Sequence, residues 1–164
     1  MDLYIIRHAW AGHYGDPDWP DDGRRPLTPG GCERFALVVE RLAQREFCPG
    51  IIATSPLVRC RQTADLVAAG VSADPQILEL DELLPGSDLD GLIQWTADQQ
   101  TTHDQVAWVG HAPDVGRMAA ALIGNASGWI RFAKGATAAI RFDGPPQLSC
   151  GELRWLATAK LLGC

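Results

Sequence analysis

The sequence predicts an α/β fold with three layers, α/β/α, built on a mostly parallel central sheet with an antiparallel hairpin at one edge. Three observations predict it. Short, largely apolar runs recur at Leu3 to Ile6, Ile51 to Ser55 and Gln105 to His111, as in parallel strands covered on both faces. Helical patterns with their own start signals separate these runs. The last part of the chain alternates polar and apolar residues around Asp143-Gly144-Pro145-Pro146, as a hairpin does.

The totals bound the class. The 164 residues fit one domain, 1–164, long enough to bury a core without staples. Apolar residues are 46% and charged residues 21%, an ordinary soluble composition. A net charge of −6 argues against a general nucleic-acid or anionic-membrane binder, yet leaves room for a small anion site made by a few arginines. Met1-Asp2-Leu3-Tyr4 lacks the basic start of a secretory signal, and no run approaches a membrane span. The five cysteines are scattered, which suits reduced thiols in a cytoplasmic protein.

The first strand, Leu3 to Ile6, ends in Arg7 and His8. Open α/β sheets bind ligands just beyond the carboxyl ends of their strands. A guanidinium beside a titratable imidazole at that edge suits an anion, most simply a phosphoryl group. The loop from Tyr14 to Arg25 is rich in turn formers and holds His13, Asp16 and Asp18 near that edge. Thr28 and Pro29 open a helix to about Glu46, with Phe35, Val38, Val39 and Leu42 on one face. The second strand, from Ile51, runs into Ser55 and Pro56, read as N-cap and first position of a helix. Arg59 sits one turn in and reaches the same edge, Arg61 points to the surface, and Gln62 and Thr63 bond locally. A third strand, Gln76 to Leu80, leads to the acidic segment Glu79 to Glu82. A helix from Leu89 to Gln99 follows, capped by Ser87 or Asp88. Gln105 to His111 repeats the opening pattern, an apolar strand ending in a histidine, and a core helix runs from Pro113 to Gly124. Gly135 to Phe142 and a last strand from Leu148 or Glu152 to Ala159 form the hairpin, with Leu153, Trp155 and Ala157 on one face. Two strands that both end in His, plus an Arg at a helix start, point to a convergent site.

These residues resemble the histidine phosphatase superfamily, which also contains the phosphoglycerate mutases. Arg7-His8 is similar to its Arg-His-Gly signature, and Leu27-Thr28-Pro29-Gly30-Gly31 to its entry into the first helix. Ser55-Pro56-Leu57-Val58-Arg59-Cys60-Arg61-Gln62-Thr63-Ala64 is similar to its Ser-Pro-x-x-Arg-x-x-Gln-Thr-Ala element, and Val109-Gly110-His111 to its Gly-His element. The short length most resembles the small bacterial phosphohistidine phosphatases of the SixA type. The resemblance implies a phosphoglycerate mutase-like fold, His8 as nucleophile, and Arg7, Arg59 and His111 as the cradle for phosphoryl oxygens. It implies no cofactor and no metal, since the arginines supply the charge. The implied substrate is a phosphorylated protein carrying phosphohistidine, or a small phosphorylated metabolite.

Two departures stand out. Ala9 replaces the signature glycine, adding a methyl beside the site. The general acid is open: Glu82 and Glu79 fall where larger members carry one, and Asp18, with Asp16, is the candidate from the first loop. One rival is a non-catalytic phosphate or phosphopeptide-binding module that kept the cradle, although binding alone does not need His8. A metal site from His8, His13 and His111 is the other, disfavoured by the adjacent arginines.

Overall fold

The computed structural model describes residues 1–164. Six strands form one sheet: β1 Asp2–Arg7, β2 Ile51–Thr54, β3 Gln76–Glu79, β4 Gln105–Gly110, β5 Thr137–Arg141 and β6 Glu152–Ala157. Their order is β3-β2-β4-β1-β5-β6. The first four are mutually parallel; β5 runs antiparallel to β1, and β6 to β5. This is the three-layer, mostly parallel α/β arrangement that the sequence predicts, with its antiparallel hairpin at one edge; the phosphoglycerate mutase-like fold is what the resemblance implies.

Four helices cover the sheet: α1 Pro29–Ala43, α2 Val58–Gly70, α3 Leu89–Gln99 and α4 Asp114–Leu122. The alternation along each buried strand sorts side chains onto two cores. Tyr4, Ile6, Ile52 and Val109 pack against Phe35, Val38, Val39 and Leu42 of α1 and Ala64 and Val67 of α2. Leu3, Ile5, Ala53 and Trp108 pack against Leu92 of α3 and Val115, Met118 and Leu122 of α4. Trp108 is fully buried, and its indole N–H donates to Thr96 Oγ1 on α3 (2.9 Å). A buried indole needs such a partner.

Several ends differ from the pattern-based reading. Helix α1 stops at Ala43, short of Glu46, because the chain turns left-handed at Glu46 (φ 66°). That turn buries Phe47 edge-on against Tyr4, with ring centroids 4.7 Å apart. Helix α2 begins at Val58, and Ser55 is not its N-cap; the Ser55 hydroxyl is engaged with His111 instead (2.9 Å). In β6 the expected face of Leu153, Trp155 and Ala157 is broken. Ile140 pairs with Leu153 while Ala139 pairs with Trp155, so a bulge puts Leu153 and Trp155 on opposite faces. Leu153 is left 37% exposed.

Two close approaches fix the loops beside the sheet's carboxyl edge. The Thr28 hydroxyl accepts from Gly31 N–H (3.1 Å), and Thr28 N–H donates to the Trp10 carbonyl (2.9 Å). This docks the start of α1 onto the chain leaving β1. Gly116 of α4 accepts at its carbonyl from Ile130 N–H (3.0 Å), and a Cβ there would collide with the Ile130 carbonyl oxygen. The segment so held carries Phe132, whose carbonyl accepts from Arg7 Nη1 (2.8 Å). Gly116→Ala is therefore expected to lower stability by about 1–3 kcal/mol in urea unfolding, the usual cost of overpacking. It is expected also to loosen Arg7, while Ala120→Gly, elsewhere on α4, leaves the Arg7 anchor intact.

Candidate active site

The carboxyl ends of β1, β2 and β4 meet at one edge. β1 and β4 are in register with Arg7 opposite Gly110, so the next residues, His8 and His111, leave the sheet side by side. His8 N–H donates to Gly110 O and Ser55 N–H to Val109 O, both at 3.0 Å, which holds the three strand exits level. The His8 and His111 rings lie 5.4 Å apart between centroids, inclined at 58°.

Each imidazole is fixed from outside. His8 Nδ1 lies 2.8 Å from the Ala9 carbonyl oxygen. A carbonyl only accepts, so Nδ1 carries the proton and Nε2 is the free, unprotonated nitrogen. His111 Nε2 is within hydrogen-bond distance of Ser55 Oγ (2.9 Å) and close to Cys60 Sγ (3.4 Å). Both rings are 7% exposed or less. Burial is the largest influence on each, and the positive charges of Arg59 and Arg7 add to it. His8 is pushed down to about 3 and His111 to about 4. Both are therefore neutral near pH 7. Burial pushes the Cys60 thiol up to about 12, so it is a neutral, inert packing group.

The cations come from separate segments. Arg7 closes β1 and is held by the Phe132 carbonyl. Arg59, second residue of α2 and buried, donates from Nη1 to the Asp22 carbonyl (2.8 Å) and pairs with the Asp22 carboxylate (3.2 Å). The other Asp22 oxygen accepts from Nε of the buried Arg25 (2.8 Å). That bond to Arg25 and the nearby Arg59 hold the Asp22 carboxyl below its ordinary range. The Nε atoms of Arg7 and Arg59 are buried without a protein acceptor. Buried donors of this kind normally find partners, and an oxyanion supplies several acceptors.

The signature residues also lock the backbone around the site. Thr63 Oγ1 donates to Arg59 O (2.7 Å) and accepts from Ala9 N–H (3.0 Å). Gln62 is not bonded locally: its Oε1 accepts from Leu27 N–H (2.7 Å), tying α2 to the approach of α1. The Ala9 methyl is fully buried in the core beneath α1 and α2.

The structure thus brings together Arg7, His8, Arg59 and His111. Asp22 and Arg25 join them unannounced by the sequence reading, and Ser55 joins through His111 rather than as a helix cap. Their one signal was Arg25 directly before Pro26-Leu27-Thr28, which fixes it to the docked start of α1. None of the three acid candidates forms a hydrogen bond or ion pair with Arg7, His8, Arg59 or His111. Glu79 is exposed at the end of β3 and pairs with Arg61 (3.0 Å). Three strand spacings separate β3 from β1, roughly 14 Å. Glu82 lies in the short turn Asp81–Leu83 beyond β3. Asp18 is exposed, its N–H donating to Asp16 Oδ1 (3.0 Å). His13 is exposed in the same loop, and no three His, Cys, Asp or Glu side chains are grouped to hold a metal ion. No helix is long and apolar enough to cross a membrane.

Comparison with known proteins places the chain in a family. The sequence pattern of the Histidine phosphatase superfamily (branch 1) matches residues 3–135. An uncharacterized protein of Picosynechococcus is 38% identical over 124 residues, covering 74% of this chain and 73% of its own. Phosphohistidine phosphatase SixA of Escherichia coli is 31% identical over 125 residues, covering 74% of each. A solved structure of the protein histidine phosphatase SixA complexed with tungstate superposes with a TM-score of 0.85. It is 24% identical, over 99% of both chains. With Arg7-His8 and His111 side by side on neighbouring parallel strands, and this pattern running through most of its length, the chain belongs to the histidine phosphatase superfamily, branch 1.

Proposed function

We propose that the protein is a metal-independent phosphatase that hydrolyses phosphohistidine on a protein, or a small phosphomonoester, through a phosphoryl group carried on His8. The observation that carries this is the Nδ1–Ala9 bond, which leaves His8 Nε2 unprotonated at a buried edge ringed by Arg7, Arg59 and His111. A neutral imidazole nitrogen is a competent nucleophile. In the first step Nε2 attacks phosphorus, the bond to the leaving group breaks, and Arg7, Arg59 and His111 neutralise the equatorial oxygens. In the second, water attacks phospho-His8 and the Nε2–P bond breaks, returning neutral His8 and inorganic phosphate. An imidazole leaving group needs less protonation than an alkoxide, which favours the phosphohistidine substrate at a site where the one adjacent carboxylate, Asp22, is held ionised. None of Glu82, Glu79 and Asp18 is required by this route; Glu79 is paired with Arg61 (3.0 Å), and Glu82 and Asp18 are the proton-donor candidates for a phosphomonoester. The expected partner is a phosphorylated protein or metabolite.

The central test is turnover and labelling in EDTA, with p-nitrophenyl phosphate and a phosphohistidine peptide. Acid-labile, alkali-stable phosphate on the enzyme, lost in His8→Ala, is expected. Absence of both turnover and label, with inorganic phosphate still bound, would make the protein a binding module instead.

Asp22 is expected to act by positioning. Asp22→Ala removes the carboxylate between Arg25 and Arg59 and is expected to lower kcat/KM by roughly 10-fold. Asp22→Asn, whose amide oxygen still offers an acceptor to Arg25 or Arg59, loses less. Equal activity of all three proteins would remove Asp22 from the site's support.

The imidazoles set the pH response. The free-enzyme acid limb of kcat/KM, corrected for substrate ionisation, is expected near pH 3–4 rather than at the ordinary 6.5. Stability carries the same sign. Between about pH 6.5 and 4 the unfolded chain takes up protons that the folded chain refuses, so stability falls as pH drops through that window. Urea midpoints are expected to decline more steeply from pH 7 to pH 4.5 in the native protein than in His8→Gln/His111→Gln.

A further inference from the structure

A groove of about 450 Å³ opens onto Arg7 on its β5–β6 side. Arg34, Arg131, Lys134 and Lys160 line it with Arg7 and Trp10, and no acidic residue does. Five of the chain's fourteen lysines and arginines therefore gather at one groove of a protein whose net charge is −6. No carboxylate side chain pairs with any of the five. Arg34 is spoken for in part: it lies over the Trp10 ring, 4.4 Å from the centroid, and donates to Cys164 O (2.9 Å). Arg131 and Lys160 are exposed, and Lys134 is half-buried, its ammonium held below the ordinary value by burial and by Arg7 and Arg25. The larger groove at the opposite, amino end of the sheet offers the contrast. It is about 560 Å³ and also charged, but there Arg141 pairs with Asp2 and Arg154 with Glu152 (both 3.1 Å).

Clustering like charges costs stability unless something opposite comes to meet them. We propose that this groove is a docking subsite for acidic side chains that flank the phosphorylated residue of a protein substrate. The inference rests on the phosphohistidine reading above. A second phosphoryl group on a small molecule would call for convergent, free guanidiniums. Here Arg34 is committed to Trp10 and a carbonyl, and the remaining donors are two lysines and one exposed arginine from the segment before β5 and the chain after β6. Such dispersed point charges suit several carboxylates spread along a chain, and would orient the substrate with its phosphoryl group toward Arg7.

The test has two arms. In the first, a fluorescein-labelled glutamate-rich peptide and its glutamine twin are titrated with the protein by anisotropy. The glutamate peptide is expected to bind roughly tenfold more tightly at low salt, less so as salt rises, with most of the preference lost in Arg131→Gln/Lys160→Gln. Hydrolysis of p-nitrophenyl phosphate by that variant is expected to be unchanged. In the second arm, kcat/KM is compared for phosphohistidine peptides with the same two flanks, and the preference is expected to follow binding. Equal binding of the two peptides, or an undiminished preference in the variant, overturns the docking subsite even if both phosphopeptides turn over. Turnover of p-nitrophenyl phosphate with neither phosphopeptide cleaved overturns the phosphohistidine reading, and the flanking-acid role with it, even if the glutamate peptide binds. A small bisphosphate preferred over both phosphopeptides, with that preference erased in the variant, assigns the groove to a second phosphoryl group and overturns the acidic-peptide occupant.

Discussion

The in-register pairing of β1 with β4 is the constraint on which the site depends. Parallel strands lie about 4.8 Å apart. With Arg7 opposite Gly110, the two following histidines must leave the sheet one strand spacing apart, and the ring separation of 5.4 Å reflects this. A slip of one residue would send His8 to the opposite face and break both cores, because every side chain of a strand changes face with it. The two hydrophobic cores thus fix the register, and the register fixes the imidazoles. Ser55 enters by the same rule, since β2 pairs with β4 and its exit is tied to Val109.

Electrostatic order at the edge comes from burial. Neutral imidazoles sit among guanidiniums that cannot lose their protons. Desolvation, the first influence on both histidines, removes the competing charge from the rings. One carboxylate, Asp22, balances Arg25 and Arg59, while the His8 ring is held by the Ala9 carbonyl. The arrangement holds arginines in place while leaving their Nε donors free of protein acceptors. A positioned cation with spare donors is what a transferring phosphoryl group requires, and the fold supplies it before any substrate arrives.

How much of this could be read from the sequence follows the physics of each element. Arg7, His8 and His111 were legible because a continuous apolar run ending in a polar residue has few interpretations in a parallel sheet. Arg59 was legible because a helix that starts at a strand end turns its first turn back to that edge, even though α2 starts at Val58, which makes Arg59 its second residue rather than one turn in. Asp22 and Arg25 were not, since they lie in a turn-rich loop where charged residues are ordinary. Ser55 was misread for a good local reason: Ser-Pro is a helix-start pair, but the hydroxyl is taken by His111, a contact made across strands. The face of Leu153 was misread because one bulge in β6 reverses the alternation, and no local pattern announces it. Gln62 failed likewise, its partner Leu27 lying 35 residues away.

The distribution of charge is the feature that composition hid most completely. A total of −6 is the sum of an acidic surface and a basic edge, and the two have different physical roles. Away from the site, arginines are spent in surface pairs such as Arg61 with Asp65 and Glu79, worth little to stability. At the site they are buried, or grouped without acidic partners, so their potential is focused by the low-dielectric walls of the cleft. An anionic substrate approaching such a molecule is repelled by most of its surface and drawn to one edge. On the reading proposed above, that asymmetry orients the encounter before any contact forms, and it assigns the choice among phosphorylated partners to the segment before β5 and the chain after β6 rather than to the sheet.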